Sequence, residues 1–199
     1  MSVKHQRGAG LIEALVAILI LSIGLLGMIG MQTAALKYEQ TGWARSALAA
    51  NISSLAERIR ANANAQANAY VFARSYQAER TSIESDSTYF TPDKNCESLS
   101  CTEAELATYD LLIWRRDLNQ QLPGAVGMVT ATGTKGVDLR FLITVAWFDK
   151  DNLNGIDLPS PNLCTAATTG IDARNCCPSA LGTAQNLAGV RCANVEMIP

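Results

Sequence analysis

Histidine is almost absent from this chain of 199 residues, since the only one is His5. It lies among the first eight residues, which the pattern described below predicts to be a removable leader. A mature chain without imidazole lacks the side chain most used for acid–base catalysis near neutral pH. The sequence also contains no HExxH motif, no nucleophile elbow and no phosphate-binding loop. We therefore predict that the protein is not an enzyme and holds no cofactor or metal, with an anchored periplasmic enzyme as the remaining alternative.

Long basic runs with interleaved aromatic residues are missing too, and Arg115 and Arg116 form only an isolated pair. Surfaces that bind nucleic acid usually show such a run. The formal net charge of −2 becomes about −4 when Lys4 and Arg7 are lost with a leader. We predict no nucleic-acid partner.

The strongest positive signal is at the N-terminus. Residues 1–8, MSVKHQRG, are short and basic, and Leu11–Met31 is apolar apart from Glu13, one serine and glycines. This run has the length of a membrane span, about 20 residues. Lys4 and Arg7 before the span predict a cytoplasmic N-terminus and a C-terminal domain outside the membrane.

A secretory signal peptide has the same order of charge and apolarity, and Thr33–Ala35 offers small residues for its cleavage. Its apolar region is typically about 7 to 15 residues, shorter than the run seen here. A signal peptide also leaves Glu13 unexplained, since a carboxylate inside a bilayer is costly unless it is paired or shallow.

The order Gly8-Ala9-Gly10-Leu11-Ile12-Glu13 resembles the processing motif of the type IV pilin family. The resemblance implies that an aspartyl peptidase of the inner membrane cuts between Gly8 and Ala9 and methylates the new N-terminus. It also implies that Glu13 pairs with the N-terminal amine of a neighbouring subunit during assembly. Two opposite charges that leave water together satisfy each other, whereas either one alone is penalised.

Within that family, the stretch Leu11–Gln32, and Ser22–Gly27 in particular, is most similar to minor pilins of the PilV type. This implies co-assembly with other minor pilins and the major pilin, after processing by the prepilin peptidase. The protein would sit in the inner membrane with its C-terminal domain in the periplasm, and later in a pilus on the cell surface. A minor pseudopilin of a type II secretion system shares the same N-terminal pattern and is the main alternative.

Beyond the span, Leu48, Ile52, Leu55 and Ile59 recur at helical spacing. We therefore predict one helix over residues 9–62 and a periplasmic globular domain over 63–199. The amphipathic half of the helix is expected to pack on that domain. The predicted fold is α+β and pilin-like, with the long helix against a small antiparallel sheet.

A second helix is predicted from the capping-box pattern of Thr102 and Glu105 up to Leu122, where Pro123-Gly124 stops it. Its inward side chains are expected to be Leu106, Tyr109, Ile113 and Leu122. Between Asn62 and Lys94 no period is sustained, which indicates an irregular connection.

Three strands are predicted. The clearest is Val137–Phe148, which alternates strictly and has one wholly apolar face. Gly127–Thr132 would precede it through a turn at Gly133–Gly136, and Val190–Ile198 would be the last. The apolar face of the central strand consists of Val137, Leu139, Phe141, Ile143, Val145 and Trp147.

Six cysteines follow the apolar segment, an even number that suits disulfides in an oxidising compartment. No CxxC motif occurs, so we interpret them as structural. Only Cys96 with Cys101 is predicted as a pair, and the adjacent Cys176 and Cys177 are expected to have different partners. The remaining candidates are Cys164 and Cys192.

An acidic segment, DKDNLNGID, spans Asp149–Asp157 and could offer oxygen ligands to calcium. The register of an EF-hand loop is missing, because Gly155 falls at the seventh position and Leu153 occupies a ligand position. A solvated turn is therefore favoured over a metal site.

Overall fold

The computed structural model describes residues 9–122, 124–149 and 162–199. Two compact units are present, one up to Arg45 and one from Ser46 onward. Helix α1 (Ala9–Ala61) provides the regular structure of the first unit and is also the first element of the second unit. The second unit adds a 3-10 turn (Ala67–Tyr70), α2 (Tyr76–Ser85), α3 (Glu103–Gln121), β1 (Val126–Thr132), β2 (Arg140–Phe148), α4 (Gly170–Asn175), a 3-10 turn (Ser179–Leu181) and β3 (Val190–Met197). The predicted α+β class with a long N-terminal helix is confirmed.

The amphipathic end of α1 lies in the second unit, where Ile52, Leu55 and Ile59 are buried as the spacing predicted. Helix α3 lies along it in the opposite direction. Its far end meets α1 through Gln121, whose amide oxygen accepts from Asn51. Its first turn meets the residue that follows α1, because the Glu103 carbonyl accepts from Asn62.

Further contacts join the two helices between these points. The indole of Trp114 donates to the Asn51 carbonyl at 3.1 Å, and Arg58 pairs with Asp110 at 2.7 Å. The hydroxyl of Tyr70 also donates to Asp110, at 2.8 Å. Burial raises the pKa of the Tyr70 hydroxyl, which therefore stays protonated and remains a donor. These directional bonds fix which turns of α1 and α3 face each other.

The sheet has the order β1-β2-β3 with both pairs antiparallel. The turn between β1 and β2 requires glycine at Gly133, which has φ 79° and an added Cβ only 2.3 Å from the Asp138 carbonyl oxygen. Gly127 allows β1 to approach Trp114, because a Cβ there would lie 2.4 Å from the indole ring. Close packing therefore requires glycine at both positions.

The central strand begins later than predicted, at Arg140 rather than Val137. The backbone amides of Val137 and Asp138 both donate to the Thr134 carbonyl, so these residues complete the turn. Val137 is 82% exposed, whereas Leu139, Phe141, Ile143 and Val145 are buried. The alternation of side chains continues through the turn, and the pattern alone could not reveal where pairing stops.

The expectation of an irregular connection over residues 62–94 is wrong in part, because α2 lies within it. Ser75 caps this helix by accepting from the Ala78 amide. The buried side of α2 carries Tyr76 and the charged Glu79, which is 1% exposed. A helix whose inward residues are polar gives no hydrophobic period to detect.

Glu79 is held by a buried polar cluster. Its Oε1 accepts from the Nη2 of Arg115 at 2.7 Å, and its Oε2 accepts from the hydroxyl of Tyr89 at 2.7 Å. The Arg115 guanidinium lies 3.7 Å from the ring centroid of Phe72, and Arg74 adds a second, half-exposed cation. The cluster ties α2 and the segment around it to α3.

The face of the sheet opposite Ile143 and Val145 is covered by the C-terminal region and by Tyr76 of α2. Ala146 and Thr144 of β2 are fully buried there, and Asn194 of β3 donates to the carbonyls of Ala173 and Cys176. Three disulfides are present: Cys96–Cys101, as predicted, with Cys164–Cys176 and Cys177–Cys192. The adjacent cysteines thus bond to different partners and fasten the C-terminal region to β3.

The capping box of α3 makes stability depend on pH. Lys94 and the Thr102 amide both donate to Glu105, and these bonds lower the pKa of its carboxyl from 4.5 to about 2. The stabilisation is therefore complete above pH 4.5 and is lost as the pH falls towards 2.

Thermal unfolding of the detergent-solubilised chain should give Glu105→Gln a lower melting temperature than wild type at pH 7 and the same melting temperature near pH 2. The control is Glu103→Gln, in the same first turn, for which the difference in melting temperature from wild type should not shrink in this way.

The buried cluster predicts a large effect at Glu79. Glu79→Ala leaves Arg115 buried without its carboxylate, which typically costs about 3 to 5 kcal/mol of unfolding free energy. Glu84→Ala, which removes the exposed partner of Arg80 on the same helix, should cost no more than about 0.5 kcal/mol. Denaturant unfolding followed by near-UV circular dichroism compares the two, and equal losses would contradict the pairing of Glu79 with a buried Arg115.

Candidate assembly site on the N-terminal helix

The predicted processing site lies at the start of α1. Gly8 lies outside the described residues, and the helix begins at Ala9. Glu13 follows four residues later, so that it lies one helical turn from Ala9 on the same face. The geometry brings the position of the predicted mature N-terminus and the carboxylate to one end of the helix.

The first part of α1 presents an apolar surface with nothing covering it. From Gly10 to Leu36 every residue is exposed, and the mean hydropathy reaches 2.6. By length and composition this segment of 27 residues can cross a membrane. An exposed apolar surface of such extent is not stable in water and requires lipid or other apolar helices around it.

Polar groups within this segment are few. The hydroxyl of Ser22 donates to the Ile18 carbonyl at 2.6 Å, and that of Thr33 donates to the Gly30 carbonyl at 2.8 Å. Both hydroxyls are therefore satisfied within the helix. Glu13 is the one charged residue between Gly10 and Leu36, and no cation pairs with it in the part of the chain that the structure describes.

Three glycines of this segment, Gly24, Gly27 and Gly30, are open to approach. An added Cβ at any of them would meet no atom within 4 Å. Nothing in the described chain thus requires them to be glycine. Small residues at such spacing allow close approach of another helix.

Sequence reasoning missed two aromatic residues on α1. Tyr38 is 78% exposed and Trp43 is 55% exposed, although large aromatic side chains are usually mostly buried. The available signal was their position, immediately after the apolar run.

The second unit contains a cavity of about 210 Å³ between the end of α1, the following turn and β2. Typical ligand pockets measure about 300 to 1,000 Å³. Its lining is mainly apolar, and the amine of Lys135 at its edge already donates to the carbonyls of Asn64 and Ala65. The cavity therefore lacks the convergent free polar groups of a substrate site.

The acidic segment considered for calcium lies outside the described residues, except for Asp149. The carboxylate of Asp149 pairs with Arg191 at 2.6 Å. Over residues 9–122, 124–149 and 162–199, no group of three potential metal ligands is found among His, Cys, Asp and Glu.

The long apolar helix at the N-terminus, followed by a folded unit with a small antiparallel sheet, fits a membrane-anchored subunit of the pilin class. Comparison with family models agrees: residues 3–29 match the model described as Prokaryotic N-terminal methylation motif, and residues 30–112 match the model described as Type IV pilin Tt1218. Neither a curated protein nor a solved structure matches the chain. The two matches together cover residues 3–112 and support a type IV pilin-like family for this chain.

Proposed function

We propose that this protein is a minor pilin, similar to the type IV pilus modification protein PilV, that joins other minor pilins to prime assembly of the pilus. The observation that carries the proposal is the uncovered apolar segment Gly10–Leu36 of α1, whose one carboxylate, Glu13, lies a single turn after the predicted cut. Such a helix is suited to two surroundings in succession, a bilayer and a bundle of similar helices.

Processing supplies the partner for Glu13. Cleavage between Gly8 and Ala9 by the prepilin peptidase creates an amine at Ala9. In a bundle of apolar helices, that amine and the Glu13 carboxylate of a neighbour offset each other's desolvation. A misplaced subunit would leave both charges unpaired, so the pair sets the axial register of the helices.

The compartments follow from the same residues. The basic leader keeps the N-terminus in the cytoplasm, and the second unit then lies in the periplasm. Three disulfides are consistent with that oxidising compartment. From there the subunit would pass into a pilus on the cell surface.

The role of a minor pilin, rather than a major one, is supported by the similarity of Ser22–Gly27 to PilV-type pilins. The second candidate is a minor pseudopilin of a type II secretion system, which the exposed apolar helix supports equally. Co-purifying partners discriminate between them: other minor pilins and the major pilin in one case, and secretion pseudopilins in the other.

The first test is the N-terminus of the membrane-extracted protein. Intact mass and N-terminal sequencing should give a chain that begins at Ala9 when the host has a prepilin peptidase, and an uncut chain when it does not. A chain that begins near Leu36, or one uncut in both hosts, would remove the basis of the proposal.

The second test separates processing from assembly. Glu13→Ala should still be cut after Gly8 but should fall by roughly tenfold or more in sheared pili, because the Ala9 amine of a neighbour loses its carboxylate. Glu39→Ala is the matched control, since it removes an exposed carboxylate from the same helix outside the apolar segment. Quantitative immunoblots of pili and membranes give the ratio, and equal incorporation of the two variants would refute the role of Glu13.

A further inference from the structure

The apolar segment of α1 is longer than a bilayer requires. Its 27 residues extend over about 40 Å at 1.5 Å per residue, against a hydrocarbon core of about 30 Å. About seven residues are therefore in excess. The helix must tilt, or leave one of its two apolar ends outside the hydrocarbon.

Each solution places a different residue at the bilayer centre. If Gly10 lies at the cytoplasmic boundary, the centre is near Ile20. A tilt that keeps the whole segment inside puts the centre near Ile23. If Leu36 lies at the periplasmic boundary, the cytoplasmic boundary is near Val16 and the centre is near Leu26.

The polarity of the two ends of the segment does not favour one of these positions over another. The first end includes Glu13, and the last end includes Gln32, so each carries one strongly polar residue among apolar ones. The deciding feature lies just beyond the segment. Tyr38 and Trp43 are exposed aromatic residues, and such residues are enriched where the hydrocarbon meets the headgroups.

We propose that Tyr38 and Trp43 are an interfacial anchor that binds the periplasmic headgroup layer and holds Leu36 at the hydrocarbon boundary. The rise of the helix places Tyr38 about 3 Å and Trp43 about 10 Å beyond that boundary. Helical side chains lean towards the helix N-terminus, here towards the membrane, so the indole reaches back into a layer about 5 to 7 Å thick.

This depth has a consequence for Glu13. With the cytoplasmic boundary near Val16, Glu13 lies about 4 to 5 Å outside the hydrocarbon, in the hydrated inner headgroup layer. The carboxylate then avoids the hydrocarbon until the subunit leaves the bilayer. The inference rests on the proposed function, because it assumes that the segment spans a membrane before assembly.

Depth can be measured on the full chain because all six cysteines are paired. A single added cysteine can therefore be spin-labelled without removing native ones. Labels placed one at a time from Ala17 to Gly30 would be measured in vesicles of phosphatidylethanolamine and phosphatidylglycerol. The ratio of collisions with oxygen to collisions with a water-soluble nickel complex is greatest at the bilayer centre.

The expected maximum is near Leu26, and a maximum near Ile20 or Ile23 would overturn the proposed anchor. The double variant Tyr38→Ser/Trp43→Ser should move the maximum by at least three residues towards the N-terminus. The matched control Tyr38→Trp/Trp43→Tyr keeps an aromatic anchor at both positions and should leave it unchanged. A double serine variant that keeps its maximum near Leu26 would refute the anchor, whereas a scan with no maximum at all would refute the membrane span and the proposed function with it.

Discussion

A single helix of 53 residues has to be covered by two different kinds of surroundings, and this requirement shapes everything else in the chain. Up to Leu36 its surface is apolar all round and exposed, which suits lipid or similar helices. From Ser46 onward it is amphipathic, with Ile52, Leu55 and Ile59 buried in a folded unit. In the second unit, α3 lies along this part of α1.

Hydrophobic burial alone would not fix how α3 lies on α1, because apolar faces can slide past each other at little cost. The hydrogen bonds of Asn51, Arg58 and Asn62 to α3 are directional, and each is satisfied in one alignment. The Glu79 cluster does the same for α2. Buried charges of this kind contribute little net stability when intact, but a misaligned pair is heavily penalised.

The two covering layers of the sheet are stabilised differently. On one side α3 packs on β1 through buried apolar side chains such as Trp114 and Leu118. On the other, short helices and turns supply few buried side chains, and Cys164–Cys176 and Cys177–Cys192 restrict the unfolded chain instead. Disulfides suit this region because its segments are too short to form a core by themselves.

The sequence by itself determined the elements whose signals are local. The apolar run, the capping box at Thr102 and the alternation of β2 each depend on neighbours in the chain, and the sequence predicts each of them within a few residues. The tertiary structure decided what depends on distant partners: the existence of α2, whose inward Glu79 is stabilised by Arg115, the start of β2 after a glycine turn, and two of the three disulfide pairs. An element can be predicted from the local sequence only when the interactions that stabilise it come from neighbouring residues.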